Sequence, residues 1–162
     1  MIKQTFSKKA IAQLEDYNRY YDKLWFYDSK KLQKDEEKAK RRFYPAVIVC
    51  CEYHSGCCSG RSLKGLAKTR NIKSGVLHPK LENELQQIAI RNNLELYQCN
   101  VSQNGENVYV GTCAEDDACN QVLNTLKTNL NQSLSCMSFT PAVRPRTREY
   151  IPYCKTCEEI FG

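Results

Sequence analysis

Three cysteines in the C-terminal third of this 162-residue chain constrain its fold more than any other feature. Cys154 and Cys157 are three residues apart, a spacing that places both sulfurs on one face of a helix, within reach of one ion. Cys113 stands at the predicted start of an earlier helix and can supply a third thiolate. Three protein ligands leave the fourth tetrahedral position open for water, which is typical of a catalytic zinc site. We therefore predict that two helix starts meet around one Zn²⁺ ion.

A carboxylate follows the first of these cysteines after one intervening residue. Glu115 can stand beside the ion without binding it, and in that position it can carry protons during a reaction. Helix starts suit this chemistry because their unpaired N–H groups and dipole stabilise anions and lower the pKa of thiols. We predict that Glu115 is the catalytic residue, and we interpret Asp116 and Asp117 as charges that favour the helix start.

Both motifs resemble the signature of the cytidine deaminase superfamily, the zinc-dependent nucleobase deaminases. The Cys-Ala-Glu sequence at 113–115 matches the Cys-first form of the first motif. The Pro-Tyr-Cys-Lys-Thr-Cys sequence at 152–157 matches the Pro-Cys-x-x-Cys motif, with Tyr153 inserted after the proline. Two further segments, Tyr-Pro-Ala-Val at 44–47 and Leu-His-Pro-Lys-Leu at 77–81, make the chain most similar to the YwqJ-type bacterial toxin deaminases.

This resemblance implies a fold, a cofactor and a reaction. The implied fold class is α/β, a three-layer α-β-α sandwich with a mixed sheet over residues 44–162, preceded by a helical extension at 1–43. The three cysteines would hold Zn²⁺, and Glu115 would move protons between the attacking water and a cytosine base. The resemblance also implies that His78 contacts substrate, with a helix cap as its alternative role. For a toxin domain it implies an immunity protein as partner.

Two basic clusters bear on the form of the substrate. The net charge is +6, and the clusters are formed by Lys38, Lys40, Arg41 and Arg42, and by Arg144, Arg146 and Arg148. Such clusters can neutralise phosphates, although a solvated surface explains them equally well. Pro141 and Pro145 favour an extended or looped segment, and in an extended one the three arginines of the second cluster would follow a chain of phosphates. We therefore predict a base in single-stranded or flipped-out nucleic acid as substrate.

Alternatives to this substrate and to catalysis stay open. The Cys-Ala-Glu motif also resembles that of enzymes that deaminate free cytidine or nucleotides, and adenine is not distinguished from cytosine. In a different class of function, the chain is a zinc-stabilised binding module in which Glu115 is incidental. The two classes differ in whether the zinc ion carries a water and whether Glu115 lies within hydrogen-bond reach of that water.

The chain holds ten cysteines in total, which would suit a disulfide framework in a secreted protein. Its N-terminus lacks the apolar core of a signal peptide, and no apolar run approaches the roughly 18 residues of a membrane helix. We therefore expect a cytoplasmic protein with free thiols. Cys51, His54 and Cys57 are evenly spaced and form a candidate second metal site. The alternative is packing, because Cys50 belongs to a predicted buried strand and free cysteine packs as a small hydrophobe.

The hydrophobic pattern predicts alternating helices and strands. Helices are predicted over 7–42 with a break near 28–29, from Pro79 onwards, over 113–130, and from about Pro152 to the end of the chain. Strands are predicted over 44–51, 94–101, 106–110 and 134–140, and residues 55–75 are predicted as mostly loop with a short return strand near Cys57.

Overall fold

The protein is described by a computed structural model over residues 1–28, 36–54, 56–63, 77–97, 99–101, 107–126 and 133–162. These ranges contain five α-helices: α1 Lys8–Asp28, α2 Glu36–Phe43, α3 Pro79–Arg91, α4 Ala114–Leu126 and α5 Lys155–Phe161. They alternate with strands of a mixed sheet, so the predicted α/β class is confirmed. None of the helices in these ranges has both the length and the apolar character needed to cross a bilayer.

Among the described residues, six strands form the main sheet, and two form a separate antiparallel pair. The strands are β1 Lys3–Gln4, β2 Ile48–Tyr53, β3 Gly56–Arg61, β4 Cys99–Val101, β5 Asn107–Tyr109, β6 Ser138–Phe139, β7 Ala142–Val143 and β8 Tyr150–Ile151. The path β1-β6-β2-β7-β8 runs through the main sheet, β3 pairs with β2, and β4 pairs with β5. Only β1 and β6 are parallel among the described pairs. β2 is therefore the centre of the sheet.

The pleat of β2 sends alternate side chains to two separate apolar clusters. Val49 and Cys51 pack in the cluster that includes Ala118 of α4. Ile48 and Cys50 pack in the cluster that includes Ala10, Leu14 and Tyr21 of α1. Because side chains alternate across a strand, helices cover both faces of β2 at this point. All four of these β2 side chains are fully buried.

A glycine on β3 lets the helix of the predicted metal site approach the sheet closely. A Cβ atom at Gly60 would lie 2.1 Å from the backbone N of Ala118 and 2.6 Å from the carbonyl O of Ala114. Both contacts are with backbone, which cannot move aside without shifting the helix. Gly60 therefore fixes the distance between β3 and the first turns of α4, and with it the position of the residues at the start of α4.

The N-terminal segment is packed onto the sheet. β1 pairs with β6, and the N–H of Thr5 donates to the carbonyl of Phe139 at 2.9 Å. Ser7 caps α1, because its Oγ accepts from the N–H of Ala10 at 3.1 Å, and its hydroxyl also donates to the carboxylate of Glu52 on β2. The division of the chain at residues 43 and 44 stays a prediction.

Several predicted elements have different bounds or types. The predicted strand at 134–140 begins as a 3-10 turn, Leu134–Cys136, and only Ser138–Phe139 is strand. β3 is longer than the short return strand expected near Cys57. The last helix begins at Lys155 because Cys154, in extended conformation, is its N-cap. The predicted Asn104-Gly105 turn and much of the 55–75 loop lie outside the described residues.

Candidate metal centre

Both helix starts of the predicted site carry a cysteine immediately before the first helical residue. Cys113 precedes α4, and its backbone N–H donates to the Oδ2 atom of Asp116 at 3.3 Å. Cys154 caps α5, and its sulfur accepts from the backbone N–H of Cys157 at 3.4 Å. Cysteine thus occupies positions that usually hold serine, threonine or aspartate. The cap of α5 holds the Cys154 sulfur at the N-terminal end of that helix, and the Cys113 sulfur lies next to it.

The three sulfurs lie together, as the spacing predicted. The Sγ atoms of Cys113, Cys154 and Cys157 are all within 4.8 Å of one another, and those of Cys113 and Cys154 are 3.2 Å apart. Sulfurs bound about 2.3 Å from a tetrahedral zinc ion are about 3.8 Å apart, so small side-chain shifts would fit this group to the ion. Three thiolates also form the soft ligand set that zinc prefers. The group can therefore hold a metal ion.

Glu115 is the acidic residue in contact with this sulfur group. It is 5% exposed, and the Cys157 thiol donates to its Oε2 atom at 3.6 Å. Burial raises the pKa of Glu115 to about 7, while a hydrogen bond from its own backbone opposes the shift. A carboxyl group with this pKa can both accept and release a proton near neutral pH.

Interactions among the three thiols lower the pKa of one of them and raise the pKa of the other two. The thiol of Cys113 and the backbone N–H of Cys157 hydrogen-bond to the sulfur of Cys154. Interaction with Cys113 first, and then with Cys157, lowers the pKa of Cys154 to about 3. Donation to Cys154 raises the pKa of Cys113, and contacts with both other sulfurs raise the pKa of Cys157. Cys154 is therefore the first of the three to be a thiolate, and its charge is shared by hydrogen bonds with the other two.

Asp116 has a larger role at this site than the sequence indicated. We interpreted it as a capping charge, and it does cap the N–H of Cys113. It is also fully buried, and its Oδ1 atom has no hydrogen-bond partner among the described residues. Burial and the nearby Cys154 thiolate raise the pKa of Asp116 well above its usual range. A capping-box spacing of three residues from Cys113 is the sequence signal for this role.

His78 is the N-cap of α3. Its Nδ1 atom accepts from the backbone N–H of Lys80 at 3.2 Å, and Pro79 is the first helical residue. Its backbone N–H donates to the Oδ1 atom of Asn120 on α4 at 2.7 Å. The capping role that the sequence left open is therefore present, and a substrate contact by His78 stays a prediction.

The arginines of the second basic cluster lie in a turn, not in an extended segment. Antiparallel pairing joins β7 to β8, and the N–H of Arg148 donates to the carbonyl of Arg144 at 2.8 Å. Arg148 has a positive φ of 65° and forms an ion pair of 2.7 Å with Asp22. Arg144 pairs with Glu149 at 3.7 Å, and Arg146 lies between the two. The segment is therefore looped. The extended arrangement, in which the three arginines would follow a chain of phosphates, is not formed.

The first basic cluster lies on α2. Lys40 forms an i,i+4 ion pair of 3.4 Å with Glu36 and stands 5.7 Å from the ring centre of Trp25. Lys38 is exposed, and the side chains of Arg41 and Arg42 lie outside the described residues. Part of this cluster therefore contributes to packing of α2 against α1.

The candidate second metal site is not formed. Cys51 faces the cluster under α4, whereas Cys57 packs with the cluster under α1, because the two residues point to opposite faces of the β2–β3 pair. His54 is exposed at the turn between the strands. Within the described residues, the three-cysteine group is the only set of three or more candidate ligands that lie together. Spacing by three cannot bring ligands together on strands, where side chains alternate by two.

Comparison of the chain with protein-family models, with curated proteins and with solved structures finds no match.

Proposed function

We propose that the chain is a zinc-dependent hydrolytic deaminase that acts on cytosine bases. One observation carries the proposal: a buried glutamate touches a group of three sulfurs that can hold a metal ion. A structural zinc site is typically closed by four protein ligands, whereas three ligands leave room for a reacting molecule. A zinc-stabilised binding module has no need of a buried, ionisable carboxyl group beside the ligands.

Cys113, Cys154 and Cys157 would hold the ion, which when bound supplies an electrophilic charge that makes water nucleophilic near neutral pH. The reaction consumes one water at C4 of cytosine, breaks the bond from C4 to the amino group, and releases ammonia and uracil. Glu115 accepts a proton from the attacking water and delivers it to ring nitrogen N3. It then accepts the proton of the new C4 hydroxyl group and donates it to the departing amine, which leaves as ammonia. Asp116 orients Cys113 by holding its backbone N–H.

The finer fold proposal is the three-layer α-β-α sandwich. Its support is the packing of α1 on one face of β2 and of α4 on the other. In this arrangement residues 44–162 form the deaminase domain, and the N-terminal extension contributes α1 as the helical layer on the second face of the sheet. The two capped helix starts then lie at one edge of the central layer, where the site is built.

Two forms of substrate follow from different observations. A base in single-stranded or flipped-out nucleic acid is the first candidate, supported by the net charge of +6 and the basic residues on α2. A free cytidine or nucleotide is the second candidate. It is favoured by the hairpin turn, in which Arg144 and Arg148 form ion pairs with Glu149 and Asp22 and are less available to phosphates.

The test is a product assay with zinc-loaded protein. Matched oligonucleotides that contain one cytosine or one adenine, and the free nucleosides, are incubated with the protein and examined for uracil and hypoxanthine. Uracil from the oligonucleotide supports the first candidate, and uracil from cytidine alone supports the second. Hypoxanthine would assign adenine as the base. Absence of product from all substrates, with one zinc bound per chain, would favour the binding module.

A further inference from the structure

A second pair of close thiols lies outside the metal centre, between β2 and β3. The Sγ atoms of Cys50 and Cys57 are 2.8 Å apart. Cys50 lies opposite Ser59 in the antiparallel register, so Cys57 is its diagonal neighbour on the same face of the sheet. The separation is about 0.8 Å longer than a disulfide bond, so side-chain rotation together with a small approach of the two strands would join the sulfurs. We call this pair the strand dithiol.

The two members of the strand dithiol differ in access. Cys50 is fully buried under α1, whereas Cys57 is partly exposed at the edge of the same cluster. Burial raises the pKa of both thiols. For Cys57, hydrogen bonding to Cys50 and the charge of Lys9 act in the opposite direction. An external reagent can therefore reach Cys57 first, with Cys50 in position to follow.

We propose that Cys50 and Cys57 are a redox-active dithiol that closes to an intramolecular disulfide when it meets a small disulfide such as oxidised glutathione. The Cys57 thiolate attacks one sulfur of glutathione disulfide, breaks its S–S bond and releases one glutathione thiolate. The Cys50 thiolate then attacks the Cys57 sulfur of the mixed disulfide and releases the second. Cys50 and Cys57 are oxidised by two electrons, glutathione is reduced, and the two protons pass to the released thiolates.

The inference is independent of the proposed deaminase activity. The disulfide would tie β2 to β3 on the face covered by α1, whereas the metal centre lies at the start of α4, on the other face. Closing a loop as short as this one removes freedom from the unfolded chain, and it should raise the thermal midpoint by roughly 5–10 °C. Zinc bound to Cys113, Cys154 and Cys157 should protect those sulfurs from the same oxidant.

The experiment exposes zinc-loaded protein to oxidised glutathione and maps the products by peptide mass spectrometry. We expect one disulfide per chain between Cys50 and Cys57, loss of two hydrogen atoms in intact mass, one zinc retained, and full reversal by reduced glutathione. Cys57→Ser should abolish the disulfide and the rise in thermal midpoint. Cys58→Ser is the matched control, because Cys58 is the next residue but packs on the α4 face, and it should oxidise like the parent.

Three results would overturn the inference. They are a parent protein that stays fully reduced in oxidised glutathione, a disulfide mapped to other cysteines while zinc is bound, and unchanged oxidation of Cys57→Ser. Mapping of the parent does not depend on the folding of any variant. A protein that deaminates nothing but forms this bond leaves the inference intact, and an active enzyme that never forms it contradicts the inference alone.

Discussion

The metal centre and the strand dithiol both bring cysteine sulfurs close together, yet their surroundings give them different chemistry. Two sulfurs are 3.2 Å apart in the metal centre and 2.8 Å apart in the strand dithiol. The metal centre has a third sulfur and a buried carboxyl group, and two of its cysteines stand at helix starts. The strand dithiol faces apolar residues of α1. Proximity of thiols alone therefore does not make a metal site.

The backbone explains this difference. At a helix start, N–H groups point towards the side chains and stabilise a thiolate, as the Cys157 N–H does for Cys154. Within the sheet, the N–H of Cys50 donates to the hydroxyl of Thr140, and burial raises the pKa of the Cys50 thiol. A helix start also presents residues one turn apart to one point, whereas a strand sends successive residues to opposite faces.

The largest expected effect is loss of zinc, which should follow replacement of a cysteine in the metal centre but not in the strand dithiol. Cys113→Ala, Cys154→Ala and Cys157→Ala should each release zinc, because two remaining thiolates bind the ion poorly. Loss of a ligand present at about 1,000 times its dissociation constant lowers the free energy of unfolding by about 4 kcal/mol. Cys57→Ala should keep one zinc per chain. Metal analysis measures the zinc content of each variant, and thermal unfolding measures its stability. If all three metal-centre variants retained zinc, the ion would have to bind elsewhere.

The second prediction separates metal binding from catalysis. Glu115→Gln removes the proposed proton carrier but no sulfur, so turnover should fall about 10²–10⁴-fold while zinc content and thermal midpoint stay close to the parent. Glu158→Gln makes the same chemical change on α5, where Glu158 is exposed and pairs with the N-terminus. That control should keep full activity. Turnover of Glu115→Gln near the parent rate would remove Glu115 from the mechanism.

The metal centre was predictable because its signals are local. The spacing of Cys154 and Cys157, a glutamate two residues after Cys113, and helix-start residues all lie within one or two turns of chain. The positions of α3 and α4 followed from apolar periodicity in the same way, with Pro79 in the first position of α3. The pairing of the two helix starts rested on ligand chemistry and on the family resemblance, since no local pattern links residue 113 to residue 154.

The parts that sequence reasoning missed depend on contacts between distant residues. β1 is two residues long and exists because Lys3 and Gln4 pair with Ser138 and Phe139. The strands of the β7–β8 hairpin are equally short, so no alternating pattern indicates them, and the segment between them was expected to be extended or looped. The prediction of a second metal site was wrong because spacing by three residues brings ligands together on a helix. On β2 and β3 the same spacing places Cys51 and Cys57 on different faces of the sheet.

A smaller effect is expected from the cap that orients Cys113. Asp116→Ala removes the acceptor for the Cys113 N–H and should cost about 1–2 kcal/mol of unfolding free energy. It should also weaken zinc binding about 10–100-fold, as loss of groups that orient metal ligands does. Asp116→Asn keeps an acceptor oxygen and avoids burying a charge, so it should stay near the parent. Competition with a zinc chelator measures the zinc affinity, and urea unfolding measures the free energy of unfolding. Equal losses in both variants would contradict the capping role.

The smallest effect concerns the arginines of the β7–β8 hairpin, of which Arg144 and Arg148 lie in ion pairs. Exposed pairs such as Arg148 with Asp22 contribute at most about 1 kcal/mol, so replacing Arg144, Arg146 and Arg148 with glutamine should leave the fold and zinc content intact. If these arginines bind phosphates of a single strand, the triple variant should bind an oligonucleotide more weakly. The slope of log affinity against log salt concentration should then be reduced by about 0.7 for each phosphate that is no longer bound. Turnover of free cytidine should not change. Oligonucleotide affinity at several salt concentrations is the measurement, and an unchanged slope would assign the arginines to the hairpin and favour the free nucleoside.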